Sequence, residues 1–521
     1  MTVKAALLLT TALSSTALAQ SAELLEAVRI HKPDAVTLAQ TELAACEAEP
    51  SCSKRGVLSL LTGYLLLSEG EAVQAVSQLE KAAPPAGLEP FHAFYLGNAR
   101  FYSRDYKGAA EAFGQSWKKA PPSLLNRAGA RYGEALLLAG KASEAVPPLE
   151  QAASIANTPE LLSERAQARQ AVGNQDGARA DLRALVVQFP AHPYADEALA
   201  KLSEKGQPPL QLTLDEHLQR ARGFLDAGQA SRALSELNLP EISRLAKGSA
   251  AVARVAFAKA QALYPLGREA EANDEVEKAR KGQPFIAAEA MLLRAKRVMR
   301  TTDNVKAMEL MAEVDKKYKD QPAADEAGYF VGWLDLQGGR YADAVKAFDQ
   351  FSKRHPDSRK QDEALWFKSL ALIRMQEYGK AAKALDGMAA QFSKSSLVPQ
   401  ARYWATRSRQ LSGSNKEDVQ KEYAALIEDF PATFYAALAS ARLKELGAQP
   451  PAGFPAPPKL PDGIKVPDQL KLARRLSEAG LFRDALEEVN QQAFGIKNAE
   501  EGLQFAEALQ TLGEYGTAYA I

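Results

Sequence analysis

The chain has 521 residues, 46% of them hydrophobic and 25% charged, with 64 Lys plus Arg against 64 Asp plus Glu. That length is too great for one globular core, although a repeat array adds length without enlarging a core. The charge balance, with no block of five or more like charges, argues against a nucleic-acid-binding protein, a polybasic arm or an acidic tail.

The first nineteen residues have the form of a secretory signal. Lys4 precedes an apolar run from Ala5 to Leu13, and Ala17-Leu18-Ala19 supplies an A-x-A type cleavage site before Gln20. The run is too short to span a bilayer, and no later stretch is a candidate span. The bland alternative is a buried first helix. The leader implies an exported, periplasmic protein with no membrane span once it is removed.

Cys46 and Cys52 are the only two cysteines and lie six apart around Pro50. In an oxidising compartment a local disulfide across a helix-helix turn is expected, with free thiols as the alternative. No His lies in this segment to complete a metal site.

Helix pairs then recur down the chain. Leu60 to Pro84 turns at Ser68-Glu69-Gly70. The next unit carries Gly97, Tyr106, Ala109, Ala112 and Phe113, and it aligns without a gap on Gly332, Tyr341, Ala344, Ala347 and Phe348. Weaker units begin near Tyr132, Ala166, Ala221 and Ala258, and Gly206 to Pro209 reads as a short joint. The clearest repeats run from Asp325 to Gly447. There the pairs Tyr329-Phe330, Trp366-Phe367 and Tyr403-Trp404 are 37 residues apart (366 − 329 and 403 − 366). A fixed period of this size marks a stacked array. Within one unit, apolar residues at helical spacing lead to Gly338-Gly339, and a second helix opens at Tyr341 and ends at His355-Pro356. The predicted fold is all-α, a helical-pair solenoid or α-superhelix that resembles tetratricopeptide repeats. The paired aromatics, in register with alanines, read as core.

The domain reading is a signal at 1–19, a first repeat segment at 20–206, a second at 210–447, a proline-rich linker at 448–467 and a helical block at 468–521. That last block stops on Tyr519-Ala520-Ile521 without a polar cap, so a further domain or a partner is expected after it.

No motif for chemistry emerges. The five His, at 31, 92, 192, 217 and 355, are scattered, and none pairs with another His or a Cys at helical spacing. His192 and His355 neighbour prolines at helix ends, which suits a solvated or capping role. The sequence holds no HExxH, GxSxG or P-loop pattern. Adjacent carboxylates such as Glu487-Glu488 and Glu500-Glu501 read as solvated helix faces. No catalytic, cofactor-binding or metal-ligating residue is therefore assigned, and binding along a concave face is the expected activity.

One segment carries more than a repeat. Ala401, Tyr403, Trp404 and Arg407, followed by Pro431, Thr433, Tyr435, Leu438, Ala439, Arg442 and Leu443, resemble the end of the superhelical domain of soluble lytic murein transglycosylases. Ala436 stands where that family has Gly. The order of proline-rich stretch and final helical block is also similar. The resemblance implies a periplasmic enzyme of peptidoglycan turnover, with glycan strands as its substrate. The glutamate-serine and G-L-M-Q motifs of that family's catalytic domain do not occur here, so no catalytic residue is carried over. The expectation is the non-catalytic superhelical portion of such an enzyme. The competing expectation is a periplasmic tetratricopeptide scaffold that binds protein partners in envelope assembly, a reading to which Ala191 to Leu202 contributes.

Overall fold

The computed structural model describes residues 21–81, 83–204, 208–301, 303–452, 470–493, 496, 499–511 and 518. The leader at 1–19, most of the proline-rich stretch, part of the joint at Gly206 and the closing Tyr519-Ala520-Ile521 lie outside the described residues. Among the described residues there are 28 helices and no strand, as the helical-pair reading predicts.

The chain forms two compact units, residues 1–210 with 462–521, and residues 211–461. The first contains α1 (Ala22–Arg29), α2 (Ala35–Ala48), α3 (Arg55–Ser68), α4 (Ala72–Glu80), α5 (Glu89–Tyr102), α6 (Tyr106–Lys119), α7 (Pro122–Leu138), α8 (Ala142–Ile155), α9 (Pro159–Ala171), α10 (Gln175–Gln188) and α11 (Pro193–Leu202). The second contains α12 (Leu214–Asp226), α13 (Ala230–Leu237), α14 (Pro240–Leu245), α15 (Ser249–Leu263), α16 (Glu269–Ala279), α17 (Pro284–Met299) and α18 (Asn304–Lys317). It continues through α19 (Pro322–Gln337), α20 (Tyr341–Arg354), α21 (Gln361–Arg374), α22 (Tyr378–Gln391), α23 (Val398–Leu411), α24 (Lys416–Asp429) and α25 (Phe434–Glu445). The chain then returns to the first unit with α26 (Lys471–Glu478), α27 (Phe482–Ala493) and α28 (Ala499–Thr511).

Local chemistry explains the punctuation. Proline opens α7, α9, α11, α17 and α19, where its missing N–H has no helical partner to lose. Asp105, Asn174, Asp303 and Asn415 cap α6, α10, α18 and α24 by accepting a backbone N–H of the first turn, and Thr213 with Glu216 forms a full capping box on α12.

One contact recurs in several of the pairs. A residue in the first helix faces the residue 16 positions later in the second (113 − 97 and 348 − 332). Gly97 takes the Phe113 ring, so that a Cβ there would come within 2.6 Å of it. Gly332 takes Phe348 in the same way, at 2.8 Å, and Gly63 takes Leu79. The missing side chain lets the aromatic ring sit almost on the helix backbone, which gives close packing without a void. At Ala260 with Val276 and Ala295 with Met311, small and larger apolar residues occupy the same positions, all fully buried. Two pairs replace this contact with an ion pair: Arg165 with Asp181 (2.6 Å) and Arg220 with Glu236 (2.9 Å).

The C-terminal helices are not a free-standing block. Leu476, Ala479, Leu481 and Ala485 belong to the same buried cluster as Leu58, Leu61 and Phe91 of the first repeats. Leu470, Val489, Phe505 and Leu509 form a second small core of their own.

Candidate functional site

Most of the residues singled out by sequence in the second unit pack together at α23 to α25, while Ala401 faces the preceding pair. Ala401 is fully buried beside Trp366, Leu385 and Met388. Two residues on, Tyr403 points into the next space, 3% exposed, with its ring against Tyr423 (5.9 Å) and Tyr435 (5.7 Å). Arg442 Nε donates to Tyr403 Oη at 3.4 Å while Nη1 pairs with Glu445 at 2.6 Å. Those two partners hold the Arg442 guanidinium protonated more firmly than usual. Pro431 follows the end of α24. Thr433 then caps α25, its hydroxyl accepting the Ala436 N–H at 3.2 Å. Ala436, Ala439 and Leu443 recur on one face of α25 and are buried against Tyr403 and Tyr423. Small residues at 436 and 439 let α25 approach closely, so Ala436 serves that packing where the resembled family has Gly.

The polar edge of this assembly is half-buried. Gln410 Oε1 accepts from both Arg407 Nη1 (2.7 Å) and Tyr423 Oη (3.0 Å). Burial, then the neighbouring Tyr403, raises the Tyr423 phenol, so its hydroxyl remains a donor. Trp404, Arg407, Tyr435, Leu438 and Arg442 each keep part of their surface in solvent. Aromatic faces beside guanidinium groups can stack on apolar faces of a ligand and pair with its carboxylates. The arrangement is suited to binding.

The other aromatics of the 37-residue period divide in two. Tyr329 and Trp366 are buried, whereas Phe330 and Phe367 are half-buried. Tyr329 Oη donates to Glu363 at 2.9 Å, and burial followed by that carboxylate pushes its phenol up.

Cys46 and Cys52 are joined in a disulfide, with a Cα–Cα distance of 5.4 Å, between α2 and α3. Among the described residues no group of three or more His, Cys, Asp or Glu could hold a metal ion. The histidines are absorbed locally. His192 caps α11, and its ring nitrogen accepts the Tyr194 N–H. His355 is not solvated as its proline neighbour suggests: it is 8% exposed, and its Nε2 lies 2.8 Å from Asp315 Oδ1. His92 bonds the Leu79 carbonyl at 2.9 Å, and burial lowers its pKa.

Sequence reasoning missed a second polar cluster, in the first unit. Asp484 of α27 is 1% exposed and accepts from Tyr95 Oη and from Arg127 Nη2 (2.6 Å). Arg127 also pairs with Glu487 (2.9 Å), and Glu488, 3% exposed, accepts from Ser123 Oγ at 2.5 Å. The adjacent carboxylates Glu487 and Glu488, read as a solvated face, therefore sit on α7 instead. Their spacing with Asp484 (i, i+3, i+4) was the available signal, since it places three carboxylates on one helical face.

Residues 287–449 match the outer membrane lipoprotein family YfiO, a stretch well under half of the chain. No curated protein matches the chain. Solved structures with a similar arrangement include the lytic transglycosylase Slt from Pseudomonas aeruginosa, at 17% identity over 86% of this chain and 69% of that one, TM-score 0.44. A signal transduction ATPase with a tetratricopeptide repeat sensor from Pyrococcus horikoshii is 14% identical over 79% of this chain and 74% of that one, TM-score 0.35. Yeast Tom70 is 12% identical over 89% of this chain and 90% of that one, TM-score 0.28. At these identities the likeness concerns the fold alone. No helix among the described residues is long and apolar enough to cross a membrane.

Proposed function

We propose that this chain is an exported, periplasmic helical-repeat protein that binds peptidoglycan, resembling the superhelical portion of soluble lytic transglycosylases. The observation that carries the reading is the Ala401 to Leu443 assembly. Tyr403, Trp404, Tyr435, Leu438, Ala439 and Leu443, interrupted in sequence by a whole helix, pack in one cluster, and Arg442 bonds Tyr403. Its half-buried edge of Trp404, Tyr435, Arg407 and Arg442 offers stacking surfaces and guanidinium groups. Glycan rings and the carboxylates of peptide stems are ligands of that chemistry. The Cys46–Cys52 disulfide suits an oxidising compartment reached through the leader at 1–19. In this reading the repeat segments at 20–206 and 210–447 form the binding array, and the linker at 448–467 carries the chain to its final helices. The cleavage chemistry itself would be supplied by a domain with the missing glutamate-serine and G-L-M-Q motifs.

The test is sedimentation of the mature chain with purified sacculi. Saturable co-sedimentation is expected, weakened several-fold by Arg407→Ala with helical content unchanged, since Arg407 bonds Gln410 and is only half-buried. A second reading, a scaffold for envelope proteins, is favoured by the lipoprotein-family match at 287–449. It replaces the first if the chain stays in the supernatant with sacculi while one protein co-purifies with it stoichiometrically from envelope extract.

A further inference from the structure

We propose that the face made by α3, α5 and α7 is a receptor site for an amphipathic helix bearing carboxylates at i, i+3 and i+4, and that α27 is its releasable resident ligand. This contact gathers more polar groups than the ion pairs that join repeat helices elsewhere. Most repeat helices in this unit meet through Gly, Ala, Leu and Phe side chains, and α9 with α10 adds the buried Arg165–Asp181 pair. Helix α27 meets α5 and α7 through three carboxylates, one guanidinium, one phenol and one hydroxyl. Directed, charge-assisted hydrogen bonds of this kind select a partner by geometry as well as by area.

The recognition is specific in geometry. Asp484 is the deepest group and receives two donors, Tyr95 Oη and Arg127 Nη2. Burial, and then the Asp484 charge, hold the Tyr95 phenol well above its ordinary range, so it stays a donor. Tyr95 is itself fixed edge-on against Tyr64 of α3 (5.0 Å), and Arg127 lies over the Phe94 ring (5.3 Å). The receptor donors are thus set by the repeats themselves. One turn further along α27, Glu487 shares Arg127 and Glu488 takes Ser123. The apolar part of the segment is Leu476, Ala479, Leu481 and Ala485, which enter the shared core beside these carboxylates. A helix lacking the carboxylates would leave Tyr95 buried and Arg127 half-buried without these acceptors, which is the means of selection.

The test uses the full mature chain and a fluorescent peptide of residues 470–493. Asp484→Lys places a cation against Arg127 and is expected to raise amide hydrogen exchange across 470–493 at least tenfold. Exchange in α21 to α23, in the other unit, should not change. The peptide should then bind the Asp484→Lys chain and fail to bind the wild-type chain, whose site is occupied. A peptide with amides at positions 484, 487 and 488 should bind at least tenfold more weakly. The proposal is overturned if exchange at 470–493 stays as in wild type, if the peptide binds both chains equally, or if the amide peptide binds as well as the acid. Should Asp484→Lys also lose protection in α21 to α23, Arg127→Met is the second variant. It removes the guanidinium from the receptor side and must release the same segment.

Discussion

Two helix pairs in the second unit solve one packing problem in opposite ways. In α19 and α20, Gly332 receives the Phe348 ring, and Tyr329, Phe351 and Phe367 close around it. In α12 and α13 the equivalent positions are Arg220 and Glu236, 7% exposed each, and His217 Nδ1 lies 2.6 Å from the same carboxylate. The backbone arrangement is that of a helix pair in both. A repeat needs the contact filled, and either a ring on a glycine or a neutralised charge pair fills it. The two differ in how they fail. An apolar contact weakens by the volume lost, whereas a buried ion pair that loses one partner leaves a charge without compensation.

The largest expected effect follows from that difference. Arg220→Ala leaves Glu236 buried with His217 as its remaining partner among these three, and should cost about 3–5 kcal/mol by urea unfolding. The paired replacement Arg220→Gly with Glu236→Phe rebuilds the α19–α20 solution and should recover most of the loss, because swapping a whole buried ion pair for apolar packing is close to neutral. If the double variant is as unstable as the single one, the two contacts are not equivalent. Next in size is Gly332→Val. Its Cβ would stand 2.8 Å from the Phe348 ring, and overpacking of this sort costs about 1–3 kcal/mol. The same change at Gly379, whose Cβ would meet nothing within 4 Å, should show only the helix-propensity effect.

The ionic pair also makes the α12–α13 contact sensitive to acid where the apolar one is not. Burial pushes the Glu236 carboxyl up. The hydrogen bonds from His217 and Arg220 and their charges outweigh it, and leave the carboxyl below its ordinary 4.5. A lowered carboxyl favours the folded state above the unfolded pKa and loses that contribution as pH falls through the folded value. Hydrogen exchange in α12 and α13 should therefore accelerate below about pH 4.5 relative to α19 and α20. Equal acceleration in both pairs would show that Glu236 contributes nothing of its own.

The sequence showed the pairs themselves, because Gly97, Gly332 and the alanines at fixed intervals are local and repeated. The aromatic period was equally plain, and Tyr329, Trp366 and Tyr403 are indeed buried. The convergence of Tyr403, Ala439 and Arg442 was foreshadowed only by a family likeness, since their contacts cross a whole intervening helix. The Arg220–Glu236 pair hides because it breaks the Gly and Phe pattern that reveals the others. The carboxylate face at 484, 487 and 488 was legible, but its partners were beyond reach for a different reason. Tyr95 and Arg127 lie 389 and 357 residues from Asp484, and nothing periodic links a C-terminal helix to them. An adjacent carboxylate pair looks the same in sequence whether water or an arginine faces it.

The smallest effect concerns the turn between paired helices, which the 37-residue period makes comparable across three units. The chain adopts a left-handed conformation at Gly339 (φ 72°), at Gln376 (φ 60°) and at Gly413 (φ 81°), and these positions are 37 apart (376 − 339 and 413 − 376). Two units use glycine, for which this conformation carries no steric penalty, and the middle one uses glutamine. A left-handed L-residue costs about 1–2 kcal/mol, from the crowding of Cβ against the carbonyl oxygen. Gln376→Gly removes that strain. It also gives the unfolded chain more freedom, which takes back about 0.4–1 kcal/mol. The net expectation is a gain of about 0.5–1 kcal/mol from these two terms. Slower hydrogen exchange at the end of α21 and the start of α22 would report it, with no change in α19 and α20. The reverse change at Gly413 should be destabilising by a similar amount. If Gln376→Gly is neutral or harmful while Gly413→Gln is costly, the glutamine side chain must contribute contacts that offset its strained backbone, and the three turns are not interchangeable.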